Sequence, residues 1–203
     1  MPPALRAGGT GGVGIAPIRA WLASAAVRAR GGTVWFTGLP AAGKTTLSAA
    51  LERALLATGH PAYRLDGDEL RRHLCDDLGF DRAARAENVR RVAHVARLLA
   101  DAGSIVLVAL VSPYAEDRGR ARELHAEIGL PFLEVFLDTP LGICRQRDPK
   151  GLYARTLRGE LSGLTGVDDP YEPPPSPELR LTPEPLERSV QRVLEALSAA
   201  ELT

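Results

Sequence analysis

The residues Gly38-Leu39-Pro40-Ala41-Ala42-Gly43-Lys44-Thr45 satisfy the pattern Gly-x-x-x-x-Gly-Lys-[Ser/Thr], and Thr46 continues it. That spacing places backbone N–H groups, a lysine ammonium and a hydroxyl around one polyphosphate. The surroundings agree. Thr33 to Thr37 reads as a short buried strand, and Thr46 to Ala57, rich in Ala and Leu, reads as a helix. A loop between strand and helix aims N–H groups and the positive helix end at one point. In this reading the loop residues hold ATP, Lys44 reaches the β- and γ-phosphates, and the Thr45 hydroxyl holds Mg²⁺. A chance Gly/Ala turn would not produce strand, loop, Lys-Thr and helix in register. The motif gives nucleoside triphosphate binding and leaves the chemistry that follows open.

The other predicted strands also end in polar residues. Asp66-Gly67-Asp68 follows the second, Ser112-Pro113-Tyr114 the third and Asp138-Thr139 the fourth. Ligands of open α/β sheets gather at the carboxyl ends of the strands. A phosphate cradle, a metal and a carboxylate near an acceptor hydroxyl are what phosphoryl transfer requires. Asp66 and Asp68 suit that carboxylate, either orienting Mg²⁺ or accepting the acceptor's proton. Asp68 has a second reading, as cap of the following helix, and the two roles are compatible. No Asn-Lys-x-Asp motif is present and the third strand lacks a following Asp-x-x-Gly. Both facts argue against a regulatory GTPase and leave Asp66 the best-placed carboxylate for the metal.

These residues need a scaffold. Strands are expected at 33–37, 62–65, 104–111, 132–138 and 179–181, and helices at 45–57, 68–75, 86–101, 115–127, 140–147 and 186–200. Alternating β and α patterns imply an α/β protein. The expected architecture is a P-loop NTPase fold, a five-stranded, mainly parallel sheet with helices on both faces and a lid. Residues 149–178 are rich in Gly, Pro and charge with little apolar periodicity, the composition of a binding loop. The expected organisation is a flexible segment over 1–31, disordered over 1–17 with a short helix over 18–30, then one kinase domain over 32–203 whose lid spans about 149–170.

Lys+Arg and Asp+Glu each total 25, which argues against a general nucleic-acid or membrane surface. Seven arginines nevertheless crowd one region (71, 72, 82, 85, 90, 91 and 97), as a solvated helix face or as an anion pocket. Cys75 and Cys144 read as buried free thiols in a reducing compartment. No run reaches the roughly 18 apolar residues of a membrane span, and the N-terminus lacks a secretory core. A cytoplasmic location is expected.

Taken together, the phosphate loop, Leu65-Asp66-Gly67-Asp68, Asp77-Leu78-Gly79-Phe80, Glu87-Asn88-Val89-Arg90-Arg91, Ser112-Pro113-Tyr114, Arg147-Asp148-Pro149-Lys150-Gly151-Leu152-Tyr153 and Thr165 to Glu172 resemble the adenylylsulfate kinases. The resemblance runs from about Gly32 to the C-terminal helix. It implies transfer of phosphate from ATP, with Mg²⁺, to the ribose 3′-hydroxyl of adenosine 5′-phosphosulfate, in sulfate activation. It further implies a homodimer and functional coupling to ATP sulfurylase. By the same resemblance Asp66 handles metal and proton, with Asp68 near the acceptor. Arg71, Arg85 and Asn88 hold the acceptor's phosphosulfate and ribose, and Phe80 stacks on its adenine. Arg147 packs on the ATP adenine, Lys150 belongs to the lid, and Ser112 contacts the acceptor or carries phosphate. Phe80 as ordinary core, Arg90 and Arg91 as exposed or salt-bridged, and Tyr153 and Tyr171 as lid packing are the competing structural readings.

Five positions depart from the family. Pro40-Ala41 replaces Ser-Gly, stiffening the loop, and Glu69 replaces Asn. Ala84 replaces an Asp, which would free Arg85 from a partner or loosen the segment presenting it. Leu164 replaces a second aromatic against the acceptor base, where stacking is worth about 1–3 kcal/mol. Two alternatives therefore stay open: a related P-loop kinase with a different nucleotide-like or small-molecule acceptor, and a silent nucleotide-binding partner. The intact Lys44, Thr45, Asp66 and Asp68 speak against the second.

Overall fold

The computed structural model describes residues 31–203. The expected disordered stretch and the helix over 18–30 lie outside the described residues. The strands are β1 (Gly32–Thr37), β2 (Ala62–Asp66), β3 (Ile105–Ala109), β4 (Phe132–Leu137) and β5 (Leu179–Leu181). The helices are α1 (Lys44–Ala57), α2 (Gly67–Leu70), α3 (Arg82–Asp101), α4 (Ala115–Ala126), α5 (Leu141–Arg147), α6 (Leu152–Leu157) and α7 (Leu186–Ala199). The five strands pair in the order β2-β3-β1-β4-β5, with every pairing parallel.

Strand periodicity sends alternate β1 side chains to opposite faces. Val34 and Phe36 join Leu47, Leu51 and Leu55 of α1 and Val193 and Leu197 of α7 in one apolar cluster. Trp35 joins Val89, Val92, Ala93 and Ala96 of α3 and Ala121 of α4 in the other. Both faces of the central strand are covered, which is why β1, β3 and β4 are buried along their whole lengths.

Four elements differ from expectation. The helix expected over 86–101 starts at Arg82, because the Asp81 carboxylate accepts the Ala84 N–H at 2.9 Å. The third strand stops at Ala109 because the carbonyls beyond it are taken by side chains: Thr37 Oγ1 donates to Val111 O at 2.8 Å and Arg118 Nη1 to Ser112 O at 2.7 Å. The helix expected over 68–75 closes after one turn and continues as successive turns to Asp77. Within the irregular segment, α6 forms because the Asp148 carboxylate accepts the Tyr153 and Ala154 N–H groups at 3.2 and 3.0 Å. Of its six residues only Tyr153 is fully buried, so no apolar period marks this helix in the sequence.

Candidate active site

The carboxyl ends of β1, β2 and β3 open onto one cleft of about 890 Å³. Its walls include Pro40 to Thr46, Asp66, Asp68, Arg71, Phe80, Arg85, Asn88, Ser112, Arg147, Lys150 and Leu164. Every residue given a donor, acceptor or metal role from the sequence thus lies on it except Gly38 and Leu39, at the start of the loop. Gly38 has φ +147°, and a Cβ there would stand 2.7 Å from Leu137 O, so glycine is required. Ala41 has φ +61°, a left-handed conformation that strains an alanine.

Lys44 Nζ donates to Gly38 O at 2.9 Å and Leu39 O at 2.8 Å, folding the ammonium back under the loop. Burial drives its pKa down to about 7, only partly offset by the nearby Cys144 and Asp66. A bound polyphosphate would restore the charge, since an adjacent anion favours the protonated ammonium. Nucleotide binding at pH 8 is therefore expected to take up about one proton per chain, with uptake shrinking as pH falls below 7. Calorimetry in buffers of different ionisation enthalpy measures it, and a buffer-independent heat would show that Lys44 is already charged.

Asp66 is the hub of the next layer. Its Oδ2 accepts from Thr45 Oγ1 at 2.8 Å and from Arg64 Nη1 at 3.0 Å, and its Oδ1 accepts the Asp68 N–H at 3.0 Å. Asp66, rather than Asp68, therefore caps α2. Asp68 instead points its carboxylate at Lys150 in an ion pair across the cleft mouth. Among the described residues no group of three or more His, Cys, Asp or Glu could hold a metal. The Thr45 hydroxyl and Asp66 carboxylate are hard oxygen donors at the end of the phosphate loop. That sparse set fits magnesium, which keeps several waters and takes phosphate oxygens besides one or two protein ligands.

The other half of the cleft is cationic. Arg71 lies 4.4 Å from the Phe80 ring centroid, and Arg85 lies 5.7 Å from it. Arg71 also donates to Leu78 O and Gly79 O, both at 3.0 Å. Burial, then the like charge of Arg85, pushes the Arg71 pKa down, the signature of a pocket that wants an anion. Phe80 is 61% exposed, so it is not core. Asn88 is buried on α3, and its Oδ1 has no hydrogen-bond partner within the protein. An orphaned buried acceptor on a cleft wall calls for a ligand donor such as a hydroxyl. Leu164 belongs to the main apolar cluster and offers the cleft an aliphatic wall. Ser112 is buried at φ +39° and its Oγ accepts from Trp35 Nε1 at 3.1 Å, which favours the contact role over the phosphorylated one. Arg147 Nη1 reaches Ala42 O at 3.3 Å, over the phosphate loop.

Several contributors were not foreseen. Arg64 shares a β2 face with Asp66 two residues on, a period-2 signal readable from sequence. Trp35 under Ser112, the loop at Thr182 to Glu184 on the cleft wall, and the buried Arg118–Glu134 pair at 2.6 Å carry no motif. Ala84 does not free Arg85, which donates to Phe80 O and Gly163 O, both at 2.8 Å. Arg90 and Arg91 are salt-bridged to Glu87, and Arg91 also to Asp77. Tyr153 donates to Pro40 O at 2.9 Å, joining α6 to the phosphate loop, whereas Tyr171 meets Thr37 Oγ1 at 3.0 Å and stacks on Phe136, packing on the sheet rather than the lid. Cys75 and Cys144 are buried and free. Among the described residues no helix is long and apolar enough to cross a membrane.

Comparison with known proteins places this geometry in context. A sequence-family model described as adenylylsulphate kinase matches residues 30–182. A bifunctional enzyme CysN/CysC of Mycobacterium tuberculosis is 53% identical over 172 residues, covering 84% of this chain; the chain spans 28% of that relative's length. An adenylyl-sulfate kinase of Aeromonas hydrophila is 51% identical over 166 residues, 81% of this chain and 83% of the relative. The solved APS kinase CysC of M. tuberculosis, in complex with AMPPNP and APS, superposes with TM-score 0.82 at 54% identity, covering 83% of this chain and 98% of that one.

Proposed function

The chain belongs to the adenylylsulfate kinase family, and from that premise we propose that it transfers the γ-phosphoryl group of ATP to the ribose 3′-hydroxyl of adenosine 5′-phosphosulfate. The observation that carries the reading is one cleft with two anion sites, the phosphate loop on one side and Arg71 with Arg85 on the other, and the Asp66–Asp68 pair also on its wall. The solved relative's complex with a nucleotide analogue and APS supports it.

In this reading the loop N–H groups and Lys44 hold the transferring phosphoryl group and stabilise its charge. Thr45 and Asp66 would hold Mg²⁺, which when bound neutralises phosphate charge. Asp66 or Asp68 takes the 3′-hydroxyl proton. Arg71 and Arg85 grip the phosphosulfate, for which guanidinium forks are suited. Asn88 Oδ1 accepts from a ribose hydroxyl, Phe80 stacks on the acceptor adenine, and Arg147 packs on the donor adenine. Residues 149–170 act as the lid, with Lys150 over both nucleotides, excluding water that would hydrolyse ATP. We further propose a cytoplasmic homodimer of kinase domains (32–203). The bifunctional names of the longer relatives support functional coupling to ATP sulfurylase.

The deciding experiment incubates the purified chain with ATP, Mg²⁺ and a panel of 3′-hydroxyl nucleotides. Formation of 3′-phosphoadenosine 5′-phosphosulfate in clear preference to other products is expected, and its absence beside turnover of another acceptor refutes the reading. Phe80→Ala is expected to raise the adenylylsulfate KM by about 5- to 150-fold, the loss of one base stack, with the ATP KM unchanged. Phe80 is exposed, so its removal leaves no core cavity, and equal change in both constants would assign it a structural role.

A further inference from the structure

Arg85 is held in place by more than backbone. Its Nε lies 3.4 Å from Asp169 Oδ2, and the two side chains are only 11% and 19% exposed. The same carboxylate accepts the Tyr114 hydroxyl through Oδ1 at 3.1 Å and the Thr165 hydroxyl through Oδ2 at 3.1 Å. Asp169 therefore joins three pieces of the cleft: α3 through Arg85, the loop after β3 through Tyr114, and the 163–166 segment through Thr165. That segment is itself knit together. Asp168 accepts the Gly163 and Leu164 N–H groups at 2.7 Å each, and the Gly166 N–H donates to Asp169 O at 2.7 Å. Beyond it, the Glu172 N–H donates to Pro113 O and Glu172 Oε2 accepts the Ala115 N–H, both at 2.8 Å, fastening the segment to the β3 loop.

We infer that Asp169 is a positioning residue for acceptor binding, aiming the Arg85 guanidinium and tying that aim to the 163–172 segment. The inference rests on the reading of Arg85 as an acceptor-binding residue. A carboxylate beside a binding arginine can act in two opposed ways, by competing with the ligand anion or by fixing the fork that receives it. Here the second prevails. Two hydroxyls already share the carboxylate's charge, and Phe80 O and Gly163 O hold Arg85 from other directions, so the guanidinium is immobilised without being surrounded by acids. An immobilised fork binds a planar or tetrahedral oxyanion with less loss of freedom than a mobile one.

Asp169→Asn in the full chain keeps an acceptor for Tyr114 and removes the charge facing Arg85. The adenylylsulfate KM is expected to rise about 10- to 100-fold, the scale of a displaced positioning group, with the ATP KM within about twofold of the parent. Asp169→Glu, which restores the charge on a longer stem, should recover part of the loss. In an Arg85→Ala background, Asp169→Asn should add no further loss, because its effect runs through that arginine. Tighter adenylylsulfate binding, equal rises in both KM values, or an undiminished loss in the Arg85→Ala background would each overturn the inference. The parent chain is assayed first against the acceptor panel. Turnover of a different nucleotide refutes the functional reading alone, and the same cycle is then run on that nucleotide. A readout that needs no acceptor is the coupling between Arg85→Ala and Asp169→Asn in urea unfolding, where strictly additive effects would show that the pair does not interact.

Discussion

Lys44→Met is expected to lower kcat/KM by about 10³-fold or more, the scale seen when a preorganised charge at a transferring phosphoryl group is removed. It should do so without unfolding the protein. Lys44 is 9% exposed with its ammonium on Gly38 O and Leu39 O, and burial holds its pKa at about 7 against 10.5 for a free lysine. A base with a depressed folded-state pKa opposes folding wherever the unfolded chain holds the proton more tightly. Between about pH 10.5 and 7 the unfolded state binds more protons than the folded one, so this lysine makes stability rise with pH across that window. Methionine fills similar space without the charge. The variant should therefore be at least as stable as the parent at pH 7, with a flatter stability profile between pH 7 and 10. Steady-state kinetics and urea titrations over that range measure both. A variant with near-parental kcat/KM would remove Lys44 from the chemistry, and one that fails to fold would show that its two carbonyl contacts outweigh the burial of its charge.

The contrast between the two halves of the cleft shows what a sequence can reveal. The phosphate loop was legible because its conformation depends on local rules: glycines at two positive-φ positions, Lys44 beginning a helix, and a buried strand before it. The sheet was legible because β1, β3 and β4 are buried on both faces and read as apolar runs. The acceptor side was less so. Nothing in the composition around Phe80 says that Arg71 covers its ring, and the fork of Arg85 meets Gly163 O and Asp169 across a sequence gap of about 80 residues. Those contacts come from chain return, which periodicity does not encode. The third strand's early end has the same origin, since Thr37 and Arg118 reach the 111–112 carbonyls from elements distant in sequence. Family resemblance supplied roles for Arg71, Arg85, Asn88 and Phe80, whereas the Asp169 and Trp35 contacts needed coordinates.

Asp66→Asn separates two carboxylates whose shares of proton transfer the sequence left open. Asp66 is 7% exposed and its oxygens serve Thr45, Arg64 and the Asp68 N–H at once. Asn keeps one carbonyl oxygen, enough to cap α2. Its amide end then presents N–H donors to the Thr45 hydroxyl and the Arg64 guanidinium, which are donors themselves, so the arrangement that suits a cation is lost. The expected result is a fall in kcat of about 10²- to 10⁴-fold, the range for loss of a proton acceptor or a metal-orienting carboxylate, together with a higher Mg²⁺ requirement. Asp68→Asn should behave differently. Its ion pair with Lys150 is about half exposed on both sides, and such pairs contribute about 0–1 kcal/mol. Folding should therefore be unaffected, and the change should fall on the adenylylsulfate KM and on lid closure more than on Mg²⁺ dependence. Magnesium titrations of kcat for both variants draw the line. If Asp66→Asn keeps more than a tenth of parental kcat while Asp68→Asn loses nearly all of it, proton transfer belongs to Asp68 and Asp66 is a cap and a partner for Arg64.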